Sequence, residues 1–173
     1  KDAIFYSADV HGNQITGERL RCISRIINHS STGEGVLTVV TTMDGIADRL
    51  IPVERFKEAV ITLDYSSEIE PEKLAKKLVA MGFVRTGMVE DKGQFAIRGG
   101  IIDIFSYTDE APVRIELWDT EVDSIRMFDV ESQMSIEMIQ SYSIFPATEY
   151  IFTEDELKNG LYNIKEECDR QLE

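Results

Sequence analysis

The chain has 173 residues, 43% hydrophobic and 29% charged, enough for one or two small domains with real cores and far from the composition of a disordered segment. No apolar run approaches the roughly 18 residues of a membrane span, no charged-then-apolar leader opens the chain, and Cys22 and Cys168 lack metal-ligand spacing. A cytoplasmic protein with reduced thiols and no membrane partner is expected, and a formal charge of -14 makes the chain as a whole a poor binder of phosphate backbones.

Residues 3–8, AIFYSA, read as a short strand, and GERLRCISRIINH (17–29) places Leu20, Ile23, Ile26 and Ile27 at helical spacing. STGEG breaks the chain, and the β-branched run VLTVVTT (36–42) suits a buried parallel strand. Met43 to Leu50 can form one or two helical turns. This order is that of half an α/β sandwich. Pro52 and VERF mark a boundary, after which AVITLDY (59–65) reads as a strand.

EPEKLAKKLVAMG (70–82) is the clearest helix, with Pro71 in its first turn, a stripe of Leu74, Leu78 and Met81, and Gly82 as its stop. FVRTGMVED is a strand leading into a turn. From Gln94 the period changes to two: QFAIR, IIDIF, VRIELW, EVDSIRMF and MSIEMIQSYSIF read as strands joined by short links. The fold class expected is α+β: an antiparallel meander sheet with a packed helix over residues 57–145, flanked by a partial α/β domain at 1–56. Residues 146–173 return to that first domain, with Leu157, Leu161, Ile164 and Cys168 along one helical face weakened by Gly160. Lys1 opens inside an incomplete element and Leu172–Glu173 resembles a cloning scar, so a fragment of a longer protein is expected.

Chemistry is sparse. There is no GxxxxGK[ST] loop, and STGEG has no following lysine–hydroxyl pair. His11 and His29 are isolated, and Ser66–Ser67 has no nucleophile-elbow context. Asp119, Glu121 and Asp123 alternate, which can hold a divalent cation but more often forms the wet side of a sheet. No catalytic residue, metal or cofactor is expected. Acidity is uneven: residues 1–56 carry seven acids and six bases, residues 106–139 nine acids against two arginines. That acidic face serves solubility or meets a partner.

Two arginines and a tryptophan remain. Arg98 sits in the QFAIRGGIIDIF hairpin; Arg114 and Trp118 share one face of VRIELW, about 13 Å apart at strand rise. Arginine and tryptophan are the side chains that most often carry protein–protein binding energy. Equally, the arginines can neutralise Asp103 or Glu116, and Trp118 can be core.

FAIRGGIIDIF, PVRIELWDTEVDSIRMFDVESQ and IFPATEY resemble the bacterial transcription-repair coupling factors in their N-terminal part, which is similar in turn to the excision-repair helicase subunit UvrB. The resemblance covers nearly the whole chain and implies a degenerate, helicase-like first domain without a nucleotide site, interrupted by a second domain that docks onto UvrA, the damage-recognition ATPase. It implies UvrA-binding roles for Arg98, Arg114 and Trp118, the last standing where phenylalanine is common. In full-length members of the family it implies three further partners: RNA polymerase, double-stranded DNA gripped by an ATP-driven motor, and the protein's own C-terminal domain held against the docking face. Ser106 stands where the family often has proline, and the opening YSADVHG departs from the usual wording. A fragment of UvrB itself is the alternative.

Overall fold

The computed structural model describes residues 8–33, 35–43, 45 and 52–172. The expected strand at 3–8 falls almost entirely outside them, as do most of the turns expected between Met43 and Leu50. The first described element is a long helix, α1 (Ala8–Thr32), which contains the stretch predicted from Leu20, Ile23 and Ile27 and ends before Gly33 at positive φ.

The run at 36–42 corrects the sequence reading. It forms no strand, and Val36 and Val40 are 95% and 92% exposed. A buried parallel strand needs neighbours on its edges and cover on its faces. Among the described residues no strand flanks this run, so its β propensity has nothing to pair with. Helix α2 (Val53–Ala59) follows directly after Pro52 and buries Phe56.

Next come β1 (Ile61–Asp64) and α3 (Pro71–Ala80). Helix α3 starts with proline, whose missing N–H costs nothing in the first turn, and stops at Gly82 (φ 88°). The strands are β2 (Val84–Arg85), β3 (Gln94–Arg98), β4 (Ile101–Phe105), β5 (Val113–Trp118), β6 (Glu121–Phe128), β7 (Ser135–Met138) and β8 (Ser141–Ile144), before helix α4 (Glu154–Leu172). Six strands pair in the order β2-β3-β4-β5-β6-β7, parallel between β2 and β3 and antiparallel elsewhere. The segment MSIEMIQSYSIF divides: β7 closes this sheet, whereas β8 leaves to pair antiparallel with β1 in a second, two-stranded sheet. The architecture is α+β with a mixed sheet.

Strand alternation decides which side is core. Phe95, Ile102, Ile104, Val113, Ile115 and Ile125 turn toward α3, where Leu74, Ala75, Leu78 and Met81 meet them; Leu63 and Ile144 join from the second sheet. A smaller cluster of Leu20, Ile27, Phe56 and Phe145 seats α1 against α2 and the chain after β8, with the two phenylalanine rings 6.4 Å apart. Arg19 forks onto Glu149 at 2.6 and 3.0 Å, and Arg55 pairs with Glu156 at 2.8 Å, tying the flanking segments together. Helix α4 runs through Gly160 and leaves Leu157, Leu161 and Ile164 exposed. No helix among the described residues is long and apolar enough to cross a membrane.

The two glycines after Arg98 do different jobs. Gly99 takes φ 62°, the left-handed turn position. Gly100 lies against β5: a Cβ there would stand 2.8 Å from the Leu117 carbonyl oxygen, and the Leu117 N–H donates back to Gly100 O at 2.8 Å. A backbone acceptor cannot swing aside. Gly100→Ala is therefore expected to cost about 1–3 kcal/mol, and Gly99→Ala about 1–2 kcal/mol from left-handed strain. Urea unfolding of both variants checks this, and an unchanged midpoint for Gly100→Ala contradicts it.

Candidate functional site

The outer face of the six-stranded sheet, opposite α3, carries three of the chain's ten arginines, Arg98, Arg114 and Arg126. Cross-strand partners share a face, so Asp103, Arg114 and Arg126 form one row through the pairings Asp103↔Arg114 and Arg114↔Arg126. Arg98, Ile101, Glu116 and Ser124 form the next row by the same logic. Trp118 follows two residues beyond Glu116, where β5 turns through Asp119 (φ 59°) into β6.

Asp103 is the centre of this face. It sits mid-strand among isoleucines with 1% exposure, and a buried carboxylate stays charged only when cations and donors surround it. Arg114 supplies a fork, Nε to Oδ1 at 2.6 Å and a terminal nitrogen to Oδ2 at 2.9 Å. Arg98 donates to Oδ2 at 2.6 Å.

Arg114 is thoroughly engaged. The nitrogen on Oδ2 also donates to Gln133 Oε1 at 2.8 Å, and its guanidinium carbon lies 4.3 Å from the centre of the Phe128 ring. Gln133 is itself fixed, at φ 58°, by donating to Val130 O at 2.8 Å, in a turn that Ser132 ties to Asp129. The hydrogen bonds to Asp103 push the Arg114 pKa up from its ordinary value, and only 13% of its side chain meets solvent. Arg98 differs: its side chain is 43% exposed and shares Asp103 rather than owning it. Trp118 is 79% exposed, so it is not core.

The structure thus brings the three predicted residues to one face but in unequal states. Arg114 positions, Arg98 is held at the surface, and Trp118 stands out from it. Of the two acids named as neutralisers, Asp103 takes both arginines, while Glu116 pairs with Arg126 and accepts from Ser124 at 2.9 Å. Sequence reasoning missed the contributions of Gln133, Phe128 and Arg126. The acid inside IIDIF was the available signal, since a charge within an apolar strand demands partners. Asp119, Glu121 and Asp123 do not converge, and among the described residues no group of three or more His, Cys, Asp or Glu is placed to hold a metal ion.

Residues 61–150, which contain every strand described above, match the UvrB interaction domain. The chain belongs to that family. The UvrB interaction domain here lies within a chain similar to the transcription-repair-coupling factor of Bacillus subtilis, 43% identical over 151 residues, covering 87% of this chain and 12% of the relative. The corresponding factor of Staphylococcus aureus (strain MRSA252) is 38% identical over 166 residues, 92% of this chain and 14% of the relative. That of Staphylococcus haemolyticus is 40% identical over 146 residues, 84% of this chain and 12% of the relative. The chain therefore spans only about an eighth of the length of the curated relatives it matches.

Proposed function

We propose that this chain is the non-catalytic docking module of a cytoplasmic transcription-repair coupling factor, and that its outer sheet face recruits UvrA to stalled RNA polymerase. The observation that carries the reading is Trp118, a 79% exposed indole on the same sheet face as Arg98 in a UvrB interaction domain. An arginine with unspent donors fits a carboxylate or carbonyl of the partner, and a neighbouring aromatic excludes water from that pair. The docking domain is residues 57–145, in which β3 to β7 form an antiparallel meander under one helix. Residues 1–56 and 146–173 belong to a degenerate helicase-like domain that binds no nucleotide. In the full-length protein, the motor on double-stranded DNA, the grip on RNA polymerase and the C-terminal domain that covers this face lie outside the chain. The relatives above are coupling factors, which favours this reading over a fragment of UvrB.

Calorimetric titration of UvrA into the chain tests the proposal. One-to-one binding is expected, with Trp118→Ala weakening it about tenfold or more and leaving the unfolding midpoint nearly unchanged, because the indole is 79% exposed. Absence of binding by the wild-type chain overturns the function; wild-type affinity in Trp118→Ala removes the indole from the interface.

A further inference from the structure

The turn between β6 and β7 folds back over the outer face of the sheet. Its Val130 packs against Val89, Ala96 and Phe105, and Ala96 is the cross-strand partner of Asp103. Three residues on, Gln133 stands at φ 58° with its N–H donating to Asp129 O at 2.8 Å. Its side-chain nitrogen donates to Val130 O at 2.8 Å, so the carboxamide is pinned by the turn that carries it. That leaves Oε1 facing Arg114, 2.8 Å from one terminal nitrogen.

The same nitrogen decides how Asp103 is held. Oδ1 accepts from Arg114 Nε at 2.6 Å, whereas Oδ2 is shared between this nitrogen at 2.9 Å and Arg98 at 2.6 Å. When Arg98 turns to a partner, Oδ2 is left to Arg114, at a residue with 1% exposure where water cannot replace a lost donor. Gln133 takes the second hydrogen of that nitrogen, and the Phe128 ring lies 4.3 Å from the guanidinium carbon, so the plane of the fork is set from two sides.

We propose that Gln133 is a positioning residue for docking: by clamping the Arg114 nitrogen on Asp103 Oδ2, it frees Arg98 for the partner. Without the clamp the fork can swing about its Nε bond, Asp103 comes to depend on Arg98, and recruiting Arg98 costs more. A neutral amide suits this task, because a carboxylate at the same place would compete with Asp103 for the guanidinium. The inference rests on the docking role proposed above.

The test is a pair of double-mutant cycles on the 173-residue chain. Gln133→Asn shortens the side chain and Gln133→Gly removes it, while both residues accept the left-handed backbone and keep the turn. In urea unfolding, the midpoint shift caused by Arg98→Ala is expected to be at least about twice as large in either Gln133 background as in wild type. In calorimetry with UvrA, each Gln133 variant is expected to bind about fivefold more weakly than wild type, and to weaken Arg98→Ala no further. If the wild-type chain does not bind UvrA, the docking reading fails and takes the positioning role with it. If it binds and Arg98→Glu loses affinity, then equal midpoint shifts in the two backgrounds, as from a residue that only braces its own turn, overturn the positioning role alone. Wild-type affinity in both Gln133 variants does the same.

Discussion

Replacing Arg114 with alanine is expected to destabilise the chain by about 3–5 kcal/mol, the usual consequence of stripping one partner from a buried ion pair. Asp103 has 1% exposure and cannot reach water for compensation. Arg114 supplies two of its three guanidinium hydrogen bonds, stacks on Phe128 and anchors Gln133. Arg98 remains to hold Asp103 after the change, which places the expected loss toward the lower end. Charge reversal is worse, because Arg114→Glu sets a second carboxylate against a buried first. Reversal at Arg114 is therefore expected to disturb the fold itself, not docking alone. Arg114→Lys should fall between, since an ammonium keeps the charge but cannot fork or stack. Urea unfolding measures all three. A cost below about 1 kcal/mol for Arg114→Ala, the range of an exposed pair, would mean that Asp103 does not depend on it. Where Arg114→Glu fails to bind UvrA, its unfolding curve must be read first, because a lost fold abolishes docking without any direct contact.

Much of the fold was legible because each element carried its own period and punctuation. Helix α3 is marked by Pro71, the Leu74–Leu78–Met81 stripe and Gly82, and all three features occupy the expected places. The hairpin at Gly99–Gly100 was equally local. Failures came where propensity depends on a neighbour. VLTVVTT has the composition of a buried strand, but whether it forms one depends on adjacent strands that nothing within seven residues specifies. The same holds for MSIEMIQSYSIF, in which apolar alternation is continuous although the chain changes sheets after Met138. Pairing with β1, about eighty residues earlier in register, decides that break.

For the candidate residues, the sheet face was legible in the sequence and their exposure was not. Period two put Arg114 and Trp118 on one face of β5, and the hairpin set Arg98 on the same face of the sheet. What the pattern could not rank was exposure. Both arginines read alike in sequence, yet one is spent inside the sheet and the other is half open. That difference arises from Gln133 and Phe128, which reach Arg114 from strands and turns far along the chain. Trp118 escapes burial because it ends β5 at a turn, beyond the last core pairing of Leu117 with Val122.

Arg98→Glu is expected to cut UvrA affinity by about a hundredfold or more, as loss of a central charged anchor does. The size of the loss follows from how Asp103 is shared. With Arg114 forked onto both its oxygens, the buried carboxylate stays compensated when Arg98 leaves. Arg98 can therefore exchange Asp103 for a carboxylate of the partner without stranding a charge in the core. It is the one of the pair that a partner can recruit, and its 43% exposure already turns it toward solvent. The associated cost to the fold is small: Arg98→Ala should shift unfolding by about 1 kcal/mol or less, as for a half-exposed ion pair. Raising salt should weaken wild-type binding and leave the residual binding of Arg98→Ala less affected, because the screened attraction has been removed. Titration of UvrA into folded Arg98→Glu is the deciding measurement, and wild-type affinity there would falsify the assignment of this face. A large loss in Arg98→Glu, beside an intact unfolding curve and the instability of Arg114→Ala, separates the residue that docks from the residue that holds it in place.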